Sequence, residues 1–304
     1  MGPAVELRRL TRADEAELRA LLRDDPWNHV YLLAVLHCYG IQGRRARFTG
    51  AFAGGRLVGV LGEAREVHCW YASLSAGDPA AATALGRELV VPHVEVLLGR
   101  EDAVEAALAA LPSGRVRRRS HMVLGISHDA MPSVPPAHPV RRATRADLAG
   151  LVDLYEGYEF DGYPTRRHVR RALEERIARG GIWVLEVDGR PVAARRADAS
   201  SPEVVLLGGL TVDPRYRGRD FAEDLRRACI ADLGRQGVPH CSLAHLENER
   251  VVTRREHRDF APWLVVNLAV PPAPPWRDLL RRVRARLSPD DRPVRRRRPE
   301  FTRR

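Results

Sequence analysis

The sequence predicts two α/β units joined by a linker, and three observations support this prediction. The chain has 304 residues, about twice the length of a typical domain, and 44% of them are hydrophobic, so each half can bury a core. A seven-residue motif that begins at Arg8 returns at Arg141, an offset of 133 residues. A hairpin pattern around Gly55 returns around Gly189, an offset of 134 residues. Two features at a nearly constant offset indicate an internal repeat.

Both repeated features predict defined local structures. Each copy of the motif reads Arg-Arg-x-Thr-Arg-Ala-Asp and precedes an apolar pattern with helical spacing. We expect Thr11 and Thr144, or the aspartate three positions after each, to cap the start of a helix. The hairpin pattern consists of a strand, a tight turn at Gly54-Gly55 or Asp188-Gly189, and a second strand.

Composition divides the chain into four segments. We expect a first unit at residues 1–127, a proline-rich linker at 128–139, a second unit at 140–270 and a basic tail at 271–304. The second unit ends at a cluster of prolines, because proline cannot donate to a strand ladder.

The tail carries most of the net charge of the chain. Residues 281–304 hold eleven Arg and three acidic residues, a net charge of +8 out of +11. Apolar spacing before the Arg run predicts a short amphipathic helix. Two interpretations fit: a docked helix with a solvated tail, or contact of residues 277–304 with RNA, an acidic protein or an anionic membrane.

The strongest candidate for a binding site lies in the second unit. Residues 204–212 form an apolar run that predicts a buried strand, and residues 221–233 have helical spacing. The turn between them contains three arginines. A strand that enters a helix through such a turn presents unpaired amide groups and the positive end of the helix dipole. The sequence therefore predicts an anion site at this turn.

After the predicted helix, residues 241–246 indicate another strand, followed by Asn248 and a polar helix to Phe260. The hairpin VLEVDGRPVA, the strand LLGGLTVDP, the turn RYRGRDFA and the segment LENERVVTRREHRDF resemble, in order and spacing, the GCN5-related N-acetyltransferase (GNAT) superfamily. The resemblance covers residues 140–270 directly. With the repeat, it suggests a degenerate unit of the same type in front, as in tandem actinobacterial members. It implies two GNAT-like units, each with a mixed, mainly antiparallel sheet flanked by helices.

The resemblance also implies the ligand. The family signature (Arg/Gln)-x-x-Gly-x-(Gly/Ala) matches from Arg217 to Ala222, and its amide groups hold the pyrophosphate of acetyl-CoA or another acyl-CoA. In the family the preceding strand pairs with the pantetheine arm, and an asparagine after the next strand meets the cofactor. The cofactor-binding residues implied are Leu210, Thr211, Val212, Arg217, Gly218, Arg219, Asp220, Phe221, Ala222 and Asn248.

The sequence departs from the family pattern at three positions. Asp220 replaces the central glycine of the signature, Arg255 replaces the tyrosine that protonates the leaving thiolate, and Asp259 replaces the glycine of a closing Gly-Phe pair. Three functions fit: an N-acyltransferase that moves an acyl group, most simply acetyl, from acyl-CoA to an amine; an aminoacyl-tRNA-dependent transferase; and a non-catalytic binding or regulatory protein. No catalytic residue is assigned; the candidate bases, each also readable as a surface carboxylate, are Glu156, Glu159, Asp161 and Glu203.

Asp220 raises a specific expectation about the turn. With Glu223 three residues later it fits the capping-box pattern, so its carboxylate is predicted to accept the amides that a pyrophosphate needs. Its charge also lies near the expected diphosphate, where Arg215, Arg217 and Arg219 offset it.

Other patterns exclude several protein classes. The absence of an apolar run of about 18 residues and the charged amino terminus predict a cytoplasmic protein with no membrane span and no signal peptide. The four cysteines form no CxxC pair, which indicates free thiols. The histidines show no metal-ligand spacing, so no metal site is predicted.

Overall fold

The computed structural model describes residues 4–67, 69–89, 93–112, 114–127, 134–156, 165–245 and 257–269. Contacts divide the chain into two units. Unit 1 is drawn from Met1–Asp129, Ala199–Leu206 and Gly237–Pro271, and unit 2 from Ala130–Asp198, Leu207–Gln236 and Pro272–Arg304. Each unit contains both strands and helices, so the predicted fold class is confirmed.

The helices and strands follow the order that the repeat predicts. Before the linker they are β1 (Val5–Arg9), α1 (Glu15–Asp24), α2 (Val30–Tyr39), β2 (Ala46–Ala53), β3 (Arg56–Arg65), β4 (Trp70–Ala76), α3 (Pro79–Glu88), β5 (Val94–Arg100), α4 (Glu101–Leu108) and β6 (Val116–Ser127). After it they are β7 (Val140–Arg142), α5 (Leu148–Glu156), α6 (Arg166–Ala178), β8 (Ile182–Val187), β9 (Arg190–Ser200), β10 (Val205–Val212), α7 (Phe221–Arg235), β11 (His240–His245) and β12 (His257–Leu268).

Unit 1 is a sheet with strand order β1-β2-β3-β4-β5-β12-β6-β11. Its pairs are antiparallel except β4 with β5, which is parallel. Helices α1 and α2 bury Leu18 and Leu32 in one hydrophobic cluster, and α3 and α4 bury Leu85 and Val104 in another. Full burial of one such side chain stabilises the fold by about 1.5–3 kcal/mol.

The carboxyl-terminal strand β12 corrects one prediction. The polar helix expected after Asn248 is predicted to reach Phe260, but β12 already begins at His257. β12 pairs with β5 on one side and with β6 on the other, and these two ladders override a sequence pattern that favours a helix. The start of the predicted helix lies outside the described residues.

The same pairing explains where the units divide. Because β11 pairs with β6, and β12 with β5 and β6, both late strands have their contacts in unit 1. The sequence-based boundaries at residues 127, 140 and 270 mark where the repeated segments begin and end along the chain. The two units are instead defined by contacts, which include the pairing of β11 and β12 with strands of unit 1. The sequence-based boundaries therefore stay a prediction.

Unit 2 is a four-stranded sheet segment in the order β10-β9-β8-β7 within the described residues. Helices α5 and α6 pack on it through a cluster that includes Tyr155, Leu173 and Ile182, each fully buried. Helix α7 buries Leu225 and Cys229 and contacts β7 and β8. The tight turn at Asp188-Gly189 joins β8 and β9 with positive φ at both residues, as the hairpin pattern predicts.

The repeated Arg-Arg-x-Thr-Arg-Ala-Asp motif forms the same set of hydrogen bonds in each unit. In unit 2, Arg141 donates two hydrogen bonds to Asp147, at 2.8 and 2.9 Å, and Asp147 also accepts from the amide and hydroxyl of Thr144. In unit 1, Arg8 binds Asp14 in the same way, at 3.0 and 2.7 Å. The predicted caps at these helix starts are confirmed.

Replacing Asp147 by asparagine is expected to lower the free energy of unfolding by about 1–3 kcal/mol at neutral pH. Hydrogen bonds from Arg141 lower the pKa of Asp147 to about 2, below the unfolded value of about 3.9. The stabilisation is thus complete above about pH 4 and is lost as the pH falls towards 2. Urea unfolding at several pH values measures it.

Asp153→Asn is the matched control, because this carboxylate also lies on α5 and pairs with Arg166 but is 68% exposed. It should change stability by no more than about 1 kcal/mol. A wild-type minus Asp147→Asn difference that stays constant from pH 7 to pH 2 would contradict the assigned pairing.

Candidate functional site

The end of β10 leads directly into the predicted anion-binding turn. Leu210 and Val212 are half-buried, and Thr211 between them is 4% exposed. The amide of Asp213 donates to the carbonyl of Val192 in β9 at 2.8 Å, which fixes the point at which the turn begins.

Asp213 also organises the turn through its side chain. Its carboxylate accepts from the amide of Arg215 at 3.0 Å and from the guanidinium at 2.6 Å. These bonds lower the pKa of Asp213 below its usual range, so the carboxylate is ionised at neutral pH. A single 3-10 turn, Pro214–Tyr216, follows, and Arg217 returns to extended backbone. The charge of Arg215 is therefore offset by Asp213, which the sequence does not predict.

The next residues adopt an unusual backbone path. Gly218 and Asp220 both have positive φ, 78° and 57°. This left-handed region is natural for glycine and is tolerated by aspartate more readily than by most residues. At Gly218, none of the described residues lies within 4 Å of the position that a Cβ atom would take. Asp220 thus adopts a conformation that favours glycine, which the family signature has at this position.

The structure contradicts the predicted capping box at Asp220. Asp220 is the residue before the first turn of α7, but its carboxylate accepts no hydrogen bond from the helix. Glu223 pairs instead with Arg226, at 2.6 and 2.8 Å, and with Arg227 at 3.0 Å. The bonds from Arg226 lower the pKa of Glu223 to about 2. The carboxylate of Asp220 therefore does not compete for the amides of α7.

The start of α3 in unit 1 shows what a capping aspartate requires. Asp78 precedes α3 with extended backbone, φ −118°, and its carboxylate accepts from the amide of Ala80 at 3.0 Å. Asp220 has left-handed backbone instead, which directs the side chain differently. The connection between β4 and α3 in unit 1 consists of Gly77 and Asp78 alone and contains no arginine.

The backbone amides of residues 218–222 lead into the first turn of α7. Within the described stretches, the amides of residues 218–222 donate to no protein acceptor. The next amide along the chain, that of Glu223, donates to the carbonyl of Asp220 at 2.9 Å. Amides without an acceptor, together with the helix dipole, make an anion site. The anion site that the sequence predicts at this turn stays a prediction.

Aromatic rings support the turn from inside. Phe221 is 4% exposed and stacks on Tyr216, with ring centroids 6.1 Å apart. The guanidinium of Arg219 lies 5.2 Å from the centre of the Tyr216 ring, and Arg219 is exposed. The half-buried Ala222 completes the first turn of α7.

The last residues of the predicted linker bind to α7 beside this turn. Asp224, 1% exposed, accepts from the amides of Ala137 and His138 at 2.8 and 3.1 Å, and its carboxylate lies 2.6 Å from Nδ1 of His138. The His138 ring also contacts Phe221 edge-on at 4.8 Å. Burial acts to raise the pKa of Asp224, but its hydrogen bonds with His138 lower it overall. This anchor holds the chain before β7 against the first turn of α7.

Two glycines in β10 lie against a partly buried ion pair. A Cβ atom at Gly208 would overlap the carboxylate of Asp198, and one at Gly209 would overlap the guanidinium of Arg196. Arg196 and Asp198 pair at 2.6 Å. Gly209 has φ +48°, and a left-handed glycine inside a strand is typical of a bulge. Gly209 therefore departs from regular extended backbone two residues before Thr211.

The model of the acetyltransferase (GNAT) family matches residues 148–258, which include β10, the turn and α7. The chain contains a GNAT acetyltransferase domain. No curated protein matches the chain at a significant level.

Solved structures with the GNAT fold match nearly the whole chain. A Drosophila protein is 15% identical, with 86% of this chain and 98% of that chain covered and a TM-score of 0.60. A GCN5-related N-acetyltransferase from Sphaerobacter thermophilus is 16% identical, with 88% and 97% covered and a TM-score of 0.55. A tandem GNAT protein from the clavulanic acid biosynthesis pathway is 15% identical, with 89% and 100% covered and a TM-score of 0.50. At these identities the likeness establishes the fold.

Two of the predicted candidate bases are held by arginines. Glu203 binds Arg23 at 2.9 Å within unit 1, and Glu156 pairs with Arg166 in the GNAT domain. Glu159 and Asp161 lie outside the described residues, as do Asn248 and Arg255. The structure thus assigns no base among the four candidates.

The side chains that pack beside the two glycines of β10 were not predicted as part of the site. Tyr155, Arg196 and Asp198 come together beside Gly208 and Gly209. The signal available was the Gly-Gly pair inside an apolar strand, since a glycine there often marks a bulge.

Among the described residues, no group of three or more histidine, cysteine, aspartate or glutamate side chains has a metal-binding arrangement. None of the helices that these residues form combines the length and the apolar character that crossing a membrane requires.

Proposed function

We propose that the GNAT domain transfers an acyl group, most simply acetyl, from acyl-CoA to an amine. The observation that carries this proposal is the row of amides at residues 218–222, which have no protein acceptor among the described residues. A diphosphate offers several oxygen acceptors, and the start of a helix favours its charge.

The residues present fit such a ligand. The open space at Gly218 lets a phosphate approach the backbone, and the exposed Arg219 adds a positive charge beside it. Arg217, directly before Gly218 in the turn, is also exposed. Asp220 reduces the net attraction, because its carboxylate lies in the same turn and its side chain is exposed.

The stretch of β10 that follows Gly209 is the proposed place of the chemical step. The amine nitrogen forms a bond to the acyl carbon, the carbon–sulfur bond breaks, and the amine loses a proton while the thiolate gains one. Amide groups of the strand at Leu210 and Val212 are the proposed donors to the acyl oxygen, where negative charge develops. The protein need supply no covalent intermediate, so positioning and electrostatics account for the rate.

We further propose that the enzyme works in the cytoplasm, in keeping with the four cysteines, none of which forms a disulfide. A basic contact through residues 277–304, with RNA or an acidic protein, is a separate proposal that concerns residues outside the described stretches.

Release of free CoA thiol in the presence of acetyl-CoA and a panel of primary amines tests the proposal. We expect amine-dependent thiol release that follows saturation kinetics. No release with any amine, but aminoacyl transfer from charged tRNA, would establish the tRNA-dependent alternative. Neither activity would leave a non-catalytic binding protein.

A further inference from the structure

Tyr155 connects α5 to the backbone of β10. The tyrosine is fully buried, and its hydroxyl donates a hydrogen bond of 2.8 Å to the carbonyl oxygen of Gly209. Burial raises the pKa of Tyr155 to about 12, so the hydroxyl keeps its proton and acts as a donor at neutral pH.

The carbonyl that Tyr155 binds belongs to a residue with left-handed backbone inside the strand. Gly209 has φ +48°, and the guanidinium of Arg196 occupies the space of its missing side chain. The Arg196 guanidinium also lies 5.5 Å from the centre of the Tyr155 ring. The hydrogen bond from Tyr155 and the packing of the Arg196 side chain therefore both hold this peptide group in place.

Holding the carbonyl of Gly209 also fixes the next amide. The peptide bond is planar and trans, so the N–H of Leu210 points away from the carbonyl of Gly209. When Tyr155 binds the oxygen on the α5 side, the Leu210 amide must point in the opposite direction. A free peptide group at a left-handed glycine has more orientations than this.

We infer that Tyr155 is a positioning residue for acyl transfer: its hydroxyl holds the Gly209–Leu210 peptide so that the Leu210 amide donates to the acyl oxygen. This inference rests on the proposed function. The positioning role belongs to the hydroxyl alone. The ring has a separate, structural role, because it packs in the apolar cluster with Leu151 and Val152.

Tyr155→Phe separates these two roles. Phenylalanine keeps the ring in the cluster and removes only the hydroxyl. We expect kcat to fall about 10- to 100-fold, because the Leu210 amide would no longer be aligned as a donor to the acyl oxygen. The KM for acetyl-CoA should change less than about threefold, because the diphosphate site does not contain this hydroxyl.

Tyr71→Phe is the matched control. Tyr71 lies in β4 of unit 1 and packs edge-on against Tyr31, and burial raises its pKa well above the usual value. It tests the loss of a partly buried phenol hydroxyl elsewhere in the chain, and kcat should stay within about twofold. Amide NMR gives a readout independent of activity: the Leu210 resonance should shift in Tyr155→Phe and stay in place in Tyr71→Phe.

The outcomes distinguish this inference from the proposed function. No turnover by the wild-type protein would overturn both. Turnover by the wild type with an unchanged kcat in Tyr155→Phe would overturn the inference alone. A fall in kcat/KM that comes wholly from KM, or an unmoved Leu210 resonance, would also overturn it.

Discussion

Replacing Gly209 by alanine is expected to lower the free energy of unfolding by about 2–4 kcal/mol and to abolish acyl transfer. A left-handed conformation costs a residue with a Cβ atom about 1–2 kcal/mol. The new methyl group also overlaps the guanidinium of Arg196. The ion pair with Asp198 holds that guanidinium, so relieving the overlap displaces either the pair or the strand. Urea unfolding and thiol-release kinetics measure the two effects.

Gly189→Ala isolates the contribution of backbone strain. Gly189 has φ +73° in the turn between β8 and β9, and nothing lies within 4 Å of the Cβ position there. It should lose only about 1–2 kcal/mol and keep its activity. Equal losses in the two variants would show that the contact of Gly209 with Arg196 has no energetic consequence.

Replacing Asp220 by glycine is expected to tighten CoA binding by about threefold to tenfold. Glycine adopts the observed φ of 57° without strain, so the path of the turn is kept. The substitution removes a carboxylate from the turn that receives the diphosphate. Because this carboxylate caps no amide, the gain comes from charge and not from freeing hydrogen-bond donors. Calorimetric titration with CoA at two salt concentrations measures it.

Two variants control this experiment. Asp220→Asn keeps a side chain that tolerates the left-handed region and removes the charge, so it should reproduce most of the gain, and the gain should shrink at high salt. Asp188→Gly makes the same substitution at φ 52° in the hairpin turn and should leave affinity unchanged. An unchanged or weaker affinity in Asp220→Gly would contradict the assigned role of the charge.

Local patterns predicted much of the fold. The helix predicted at residues 221–233 is observed as Phe221–Arg235, and the strand predicted at 204–212 is observed as Val205–Val212. The repeat correctly predicted both hairpins and both threonine-aspartate caps. These features depend on spacing, turn residues and contacts within a few positions, which one sequence contains.

Features set by distant contacts were not predictable. The capping pattern at Asp220 and Glu223 is valid only for extended backbone, and the left-handed φ of Asp220 removes it. Asp224 binds His138 across 86 positions, and Tyr155 binds Gly209 across 54. No local pattern indicates such pairs. The pairing of β12 with two strands likewise overrides the helical pattern before Phe260.

Calorimetric titration of the wild-type protein with acetyl-CoA tests the central claim most directly. If the amides at residues 218–222 receive the diphosphate, acetyl-CoA binds with a micromolar Kd. Arg219→Glu should then weaken binding at least tenfold, and Arg190→Glu, at another exposed arginine of unit 2, should not. No heat of binding at millimolar acetyl-CoA, or equal affinities in the two variants, would contradict the assignment of this turn as the acyl-CoA site.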